Sequence, residues 1–288
     1  MPSIKEYNDK LKSLQNTTKM TKTMKMVSAS KLRRAQEAQR NASAYAARLS
    51  TFIARLAASV DGTLHPLIQP REELKSVLLV VIASDRGLCG AFNNGIIRKA
   101  RSWINENEHK YEKIGVSCCG RRAYAAFRSN AIIESYYDDV VSSPDFTRAI
   151  HIGEELGDHF IKREYDAVYV VYNQFRSALS QTPVMQQVLP FQSKEFLEGG
   201  EEIPSDYLFE PDQKQLLDRL LPRTLHFKIH FALLENAAGE HGARMTAMDN
   251  ATNNAMSMTE SYTLLRNRAR QAAITTELTE IVAGAEAL

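Results

Sequence analysis

Residues 3–60 read SIKEYNDKLKSLQNTTKMTKTMKMVSASKLRRAQEAQRNASAYAARLSTFIARLAASV, with neither Gly nor Pro. In a helix interior Gly costs about 1 kcal/mol and Pro about 3 relative to Ala, so their absence over such a length predicts one continuous helix. At 1.5 Å rise per residue it would run roughly 80–90 Å, several times the ordinary helix of about 11–12 residues. Apolar residues recur at Ile4, Tyr7, Leu11 and Leu14, at Met20, Met24 and Val27, and at Leu32, Ala35, Ala38, Ala42, Tyr45, Leu49, Phe52, Leu56 and Val60. Alternating steps of three and four are the heptad spacing of a coiled coil, with slips in register expected near 14–20 and 27–32.

Such a seam needs a second helix. The Pro-free stretch 223–288 supplies it, with Leu225, Ile229, Leu233 and Ala237, then Met245, Met248, Thr252, Ala255, Thr259 and Tyr262, then Ala269, Ala273, Leu278 and Ile281. This helix is expected to begin near Gln213 and to pass through Pro222. Gly239 and Gly242 lie inside it, where either the close approach of the partner helix or a local bend is expected. The two ends of the chain therefore read as one long antiparallel coiled coil.

What lies between them reads differently. Asp61-Gly62, Pro66 and Pro70 end the first helix. SVLLVVIAS (76–84) is a continuous apolar, β-branched run, the pattern of a strand buried on both faces. Further strands are expected at 113–119, 131–137, 166–173 and 183–190, with a helical pattern following DRGLCGAFNNG through about Asn107 and helices near 121–129 and 145–163. Alternation of strand and helix predicts a Rossmann-like, mostly parallel sheet. The fold class is thus α/β, organised as 1–60 N-terminal coiled-coil helix, 61–75 linker, 76–211 α/β domain and 212–288 C-terminal coiled-coil helix. A turn-rich acidic exit, EGGEEIPSDYLFEPD (198–212), carries a short expected strand at 206–209.

The net charge of +2 conceals an asymmetry: residues 1–60 carry twelve Lys/Arg against three acids, a local charge of +9 that leaves −7 for the rest. The first helix therefore suits an acidic partner, whether nucleic acid, anionic lipid or an acidic protein surface. Against nucleic acid stands its poverty in aromatics for base stacking; the Met-rich KMTKTMKMV is better suited to adaptable protein contact. No run of 18 apolar residues occurs, so no membrane span is expected.

Catalytic signatures are weak. Asp85-Arg86-Gly87-Leu88-Cys89-Gly90 follows a strand and precedes a helix, where α/β sheets bind ligands, but it matches neither GxxxxGK[ST] nor GxGxxG. A tight turn with glycines at positive φ, or a docking loop, is expected there instead. His226 and His230 have the i, i+4 spacing of metal ligands without a Glu at 227, and His151 and His159 have no third ligand nearby in sequence. Cys118 and Cys119 on one strand would point to opposite faces and read as core. With Cys89 they make three thiols, with no even disulfide framework and no C-x-x-C, expected to be half-buried in a reducing compartment. Hence no catalytic residue, metal or cofactor is expected.

Three blocks are more specific: NTTKMTKTMKMVSASKLRRAQ (16–36), SDRGLCGAFN (84–93), and ARMTAMDNATNNA (243–255) followed by NRARQAAITTELTEIVAGAEAL (267–288). In content and order they resemble the gamma subunits of F-type ATP synthases, and the resemblance covers the whole chain. One departure is Arg266, where that family usually has an aromatic before the Asn-Arg pair. The Cys-containing insertion of chloroplast members is missing, so thiol regulation is not expected.

The resemblance implies a non-catalytic rotor subunit. Its coiled coil would stand inside a ring of three alpha and three beta subunits, and its α/β domain would form the foot of a central stalk beside the epsilon subunit and the membrane c ring. It would couple ion flow through the c ring to cycling of the catalytic beta sites, in ATP synthesis or hydrolysis. It also implies partner contacts to the alpha/beta ring at Lys19, Lys22, Met24, Lys25, Lys31, Arg33, Arg34, Arg86, Arg270, Gln271 and Thr275, and to the c ring or epsilon at Tyr207 and Glu210. The implied location is the cytoplasmic face of a bacterial inner membrane, held peripherally. Met1 opening directly onto the helical pattern favours a bacterial over an organellar source. Two other classes remain open on the residues alone: a basic helical-arm RNA-binding protein, and an α/β enzyme with a dimerising coiled coil that would bind its ligand at 84–90.

Overall fold

A computed structural model describes residues 3–58, 65–69, 71, 73–191 and 213–286, the side chains of 44–47, 50–58, 213, 214, 284 and 286 aside. The expected seam residues Tyr45, Phe52, Leu56 and Val60, and the exit segment with Tyr207 and Glu210, lie outside what is described. In chain order the elements are α1 (Ile4–Ala58), β1 (Ser76–Ile82), α2 (Phe92–Asn107), β2 (Lys113–Cys119), α3 (Arg121–Phe127), β3 (Ile132–Tyr137), α4 (Phe146–Ile161), β4 (Ala167–Phe175), β5 (Gln181–Leu189) and α5 (Gln213–Glu286). The chain divides into two compact units, Met1–Ser28 with Arg244–Leu288, and Ala29–Ala243.

The larger unit is built on a five-stranded sheet of order β3-β2-β1-β4-β5. β1 pairs in parallel with β2 and β4, and β2 with β3, while β5 returns antiparallel to β4. The chain winds outward from β1 to β3, then jumps back across it to β4, so strand order reverses between β1 and β4. Every residue from Val77 to Ile82 is buried, because β1 is covered on both faces and its side chains alternate between two cores. Leu78, Val80 and Ile82 join Val168, Val170 and Tyr172 against α4 (Ile152, Leu156, Phe160) and the first third of α5 (Leu217, Leu221, Leu225, Ile229, Leu233). Val77, Leu79 and Val81 pack with Val116 against α2 (Phe92, Ile96, Ala100) and α3 (Ala123, Phe127). Each such buried aliphatic contributes roughly 1.5–3 kcal/mol relative to exposure. Cys118 and Cys119 fall into opposite cores, as alternation requires. All three cysteines are buried rather than half-buried.

The smaller unit is an antiparallel helix pair. Tyr7 meets Tyr262 with ring centroids 6.3 Å apart, the Thr252 hydroxyl donates to Thr21 Oγ1 at 2.7 Å, and Lys25 Nζ bonds Asp249 Oδ1 at 2.6 Å. Positions ascend along α1 as they descend along α5. The inward residues of α1 here are Tyr7, Leu11, Leu14, Thr18, Thr21, Lys25 and Ser28, all buried or half-buried. That is an unbroken alternation of four and three, so the expected slip near 14–20 does not occur. In the larger unit, Leu32, Ala35, Gln39 and Ala42 keep the same spacing, without a slip near 27–32. The expectation failed because it followed the apolar residues: Met20 and Val27 point outward, at 61% and 51% exposed. The seam instead buries hydroxyls, which helices tolerate when they bond back to a carbonyl. Thr18 Oγ1 donates to Leu14 O at 2.9 Å and Thr21 Oγ1 to Thr17 O at 3.0 Å.

Candidate functional site

Three surfaces deserve description: the loop after β1, the paired helices, and the end of α5. In the loop, Ser84 and Asn93 form a clasp. The Asn93 amide oxygen accepts the Ser84 backbone N–H at 2.9 Å, and its amide nitrogen donates to Cys89 Sγ at 3.2 Å and Arg86 O at 3.4 Å. The Ser84 hydroxyl lies 2.6 Å from Arg86 O and 2.9 Å from Asn93 Oδ1, one proton serving either acceptor. The clasp turns Arg86 and Leu88 outward to solvent. Positive φ falls on Leu88 (62°) and Gly90 (60°), so of the two glycines only Gly90 uses the left-handed region. Gly87 matters for space: a Cβ there would sit 2.8 Å from an Arg122 guanidinium nitrogen.

The reversal of strand order puts this loop beside the crevice where doubly wound sheets bind ligands. Here the chain's own α5 occupies that place. Asn173, at the end of β4, donates its side-chain amide to Phe92 O at 3.2 Å and its backbone N–H to Asn236 Oδ1 of α5 at 3.4 Å. Phe92 packs on Gly239, where a Cβ would lie 2.9 Å from the ring. Gly242 lies against the β4–β5 turn, its added Cβ meeting Ala178 Cα at 3.1 Å. The two glycines therefore admit a phenyl ring and a hairpin turn, rather than the partner helix that was one of the two expectations. Residues 232–242 are buried without exception. Among them Glu235 accepts from Gln39 of α1 at 3.0 Å, and burial pushes its carboxyl up to about 7.

His226 and His230 are packing residues, whereas His151 is exposed. Burial pushes both His226 and His230 down from the ordinary imidazole value, as expected for rings held neutral against their surroundings. A Cβ at Gly153 would touch His226, and Phe146 meets the His230 ring edge-on at 5.5 Å. His159 does have neighbouring carboxylates, Glu164 five residues on and Glu134 on β3: ligand atoms of the three lie within 4.8 Å of one another. One oxygen of each carboxylate is already engaged. Glu164 meets His159 Nδ1 at 2.5 Å, and Glu134 accepts the Tyr165 hydroxyl at 2.6 Å with Lys113 Nζ 3.7 Å away.

On the smaller unit, Lys19 and Lys22 are exposed and Met24 is half-buried. Lys25 belongs to the seam through Asp249, an acid that sequence reading had not singled out although it faces the lysine in the antiparallel register. Small residues in the seam leave a shallow groove of about 360 Å³ between Gln15, Thr18 and Lys19 of α1 and Met256, Thr259 and Glu260 of α5. Beyond Tyr262, α5 outruns α1, and Arg270, Gln271 and Thr275 are all exposed. The Thr275 hydroxyl donates to Gln271 O at 2.9 Å. The expected seam fails at its end: Leu278 and Ile281 are 58% and 68% exposed. On the larger unit, Lys31, Arg33 and Arg34 of α1 are exposed.

A family profile described as ATP synthase matches residues 3–288. The ATP synthase gamma chain of Geobacter metallireducens is 45% identical over 288 residues, covering 100% of this chain and 99% of the relative. That of Chlorobium phaeobacteroides is 43% identical over 293 residues, covering 100% and 99%. Among solved structures, the chain resembles one in the rotor of the Euglena gracilis mitochondrial ATP synthase, with TM-score 0.64 and 19% identity over 94% of this chain and 98% of that one. It also resembles a chain of the Tetrahymena thermophila mitochondrial ATP synthase central stalk and c ring, with TM-score 0.61 and 24% identity over 81% and 99%. At such identities the solved structures speak for a common fold.

Proposed function

We propose that this chain, which belongs to the family of ATP synthase gamma chains, is the non-catalytic rotor of the central stalk, carrying torque between a membrane c ring and a ring of alpha and beta subunits. The observation that supports this reading best is the end of α5. From Asn267 to Glu286 it runs roughly 30 Å past its pairing with α1. Ile274, Leu278, Ile281 and Val282 line one side of it in solvent. A lone helix with an exposed apolar stripe is marginal in water, so it fits a shaft seated in an apolar sleeve.

The mechanism follows from differential contact. A rotor angle shifts a catalytic site only by as much as its contacts favour one state over another. Driving one site from 1:99 to 99:1 takes about 5.5 kcal/mol, so the shaft has to be stiff and asymmetric while sticking at no angle. Small seam residues bring the helices close, and outward Met20, Met26 and Val27 give an adaptable face. Lys19, Lys22, Met24, Lys25, Lys31, Arg33 and Arg34, with Arg86 on the clasped loop and Arg270, Gln271 and Thr275 near the tip, form the contacts to alpha and beta. The exposed charges steer and orient more than they bind. Lys25 contributes by pinning α1 to α5. The contacts proposed with the c ring or epsilon are Tyr207 and Glu210, outside the described residues. The complex works at the cytoplasmic face of a bacterial inner membrane with this chain held peripherally; among the described residues no helix is long and apolar enough to cross a membrane.

Reconstitution tests the reading. Purified chain mixed with alpha and beta subunits should give a particle containing one copy of it, with ATP hydrolysis that depends on it. In assembled complexes, charge reversal Arg270→Glu with Gln271→Glu should lower coupled ATP synthesis several-fold. A chain that stayed free of alpha and beta while binding RNA with steep salt dependence would instead make the basic helix a nucleic-acid arm.

A further inference from the structure

At the β1/β4 reversal α5 fills the crevice, and its residues 232–242 are all buried there. Packing through one apolar stripe would hold a helix against lifting away but resist rolling about its own axis only weakly. Over residues 232–242, three turns with no exposed side, α5 is held differently. Its surface there is notched twice, at Gly239 and Gly242, and a rigid group sits at each notch: the Phe92 ring, at the first residue of α2, and the backbone of the β4–β5 turn at Ala178. Hydrogen bonds index the same turns, Glu235 to Gln39 of α1 and Asn236 to the Asn173 backbone of β4. Neither glycine takes a positive φ, so what each position requires is the absent side chain and not an unusual backbone.

We propose that the ligand crevice of this Rossmann-like unit has become a torque collar, in which Phe92 and the Ala178 turn seat in the notches at Gly239 and Gly242 and fix the angle of α5 relative to the sheet. This rests on the rotor reading above. Phe92, Gly239, Ala178 and Gly242 are positioning residues: they touch no reacting group and act by preventing twist where the helix leaves the sheet. The same arrangement gives SDRGLCGAFN a structural role. The Ser84–Asn93 clasp holds the start of α2, and with it Phe92, at a set height over α5.

The test uses the assembled alpha–beta particle fixed to a surface, with a bead attached through Lys99→Cys on the exposed side of α2. In the unaltered chain the bead should rotate during ATP hydrolysis and show narrow angular fluctuation at each pause; a bead that does not rotate at all overturns the rotor reading itself. Gly239→Ala, which pushes a methyl against the Phe92 ring, should leave ATP turnover within about twofold and widen the angular variance at least twofold, the collar having been prised open. Gly239→Ala with Phe92→Leu should return the variance to the original value. Unchanged variance in the single variant, or a double variant as loose as the single, overturns the collar. Should Gly239→Ala fail to assemble, Phe92→Ala decides, since it empties the notch at Gly239 without adding an atom. The emptied notch should widen the angular variance at least twofold with rotation intact, and an unchanged variance would refute the proposal.

Discussion

Replacing Glu235 by Gln should change how the stability of the larger unit depends on pH. Glu235 is 5% exposed on α5, its Oε1 accepts from Gln39 at 3.0 Å, and its Oε2 is buried without a partner. Burial raises its pKa from 4.5 to about 7, against the smaller opposing effects of Gln39 and the Phe175 backbone N–H. A folded-state pKa above the unfolded value means the folded chain holds the proton longer as pH rises. Stability associated with this group is therefore complete below about pH 4.5 and is lost as pH climbs through about 7. At about 1.36 kcal/mol per unit, the loss is about 3 kcal/mol. Glu235→Gln cannot ionise and escapes it. Urea unfolding followed by the fluorescence of Trp103, the single tryptophan, should give profiles whose difference changes with pH, because only the original chain ionises at this position. The expectation is divergence: from pH 5 to pH 8 the original chain should lose about 2–3 kcal/mol more than the variant. Other titrating groups, including His226 and His230, are common to both proteins and cancel in the difference. Parallel profiles would refute the assignment of a buried, proton-holding carboxyl at this junction.

Two further outcomes are expected. Gly120→Ala should destabilise the chain by at least about 2 kcal/mol, read as a lowered Tm, because φ there is 91° and a Cβ would lie 2.1 Å from the Ala83 carbonyl oxygen. The thiols should be inert to a disulfide reagent at pH 8 and all three should titrate in urea. Burial pushes Cys118 up to about 12 and Cys119 higher still, while Cys89 is shielded beneath the Ser84–Asn93 clasp; fast native-state labelling of any of the three would contradict their burial.

How much of this was legible in the residues differs from element to element. SVLLVVIAS announces its strand because a central parallel strand needs apolar side chains on both faces, and the run has them. Lys113–Cys119 and Ala167–Phe175 are similarly direct. The antiparallel helical ends follow from missing prolines and a three–four spacing, which depend on nothing beyond local backbone energetics. The middle of the seam was less legible. There Thr18, Thr21, Lys25 and Ser28 face the partner while Met20 and Val27 face out, so hydropathy pointed to the wrong side of α1 and suggested a slip that does not exist. A hydroxyl becomes a good seam residue only once a carbonyl four residues back and a partner hydroxyl on the other helix are in place.

The same limit governed the candidate site. SDRGLCGAFN stood out as a motif, but its residues alone left turn, dock and ligand loop undecided. What decided was α5, which arrives from more than a hundred residues away and brings Asn236 and Gly239 to Asn173 and Phe92. The sequence by itself determined the strands of the sheet, the two long helices and the charge of α1, since each rests on local periodicity, backbone propensity and composition. Only the tertiary structure decided that the first third of α5 is a layer of the α/β core, that two glycines are seats for a ring and a turn, and that the crevice of the sheet holds a helix. Those depend on contacts between distant segments, and a missing side chain acquires meaning only from the group that moves into its space.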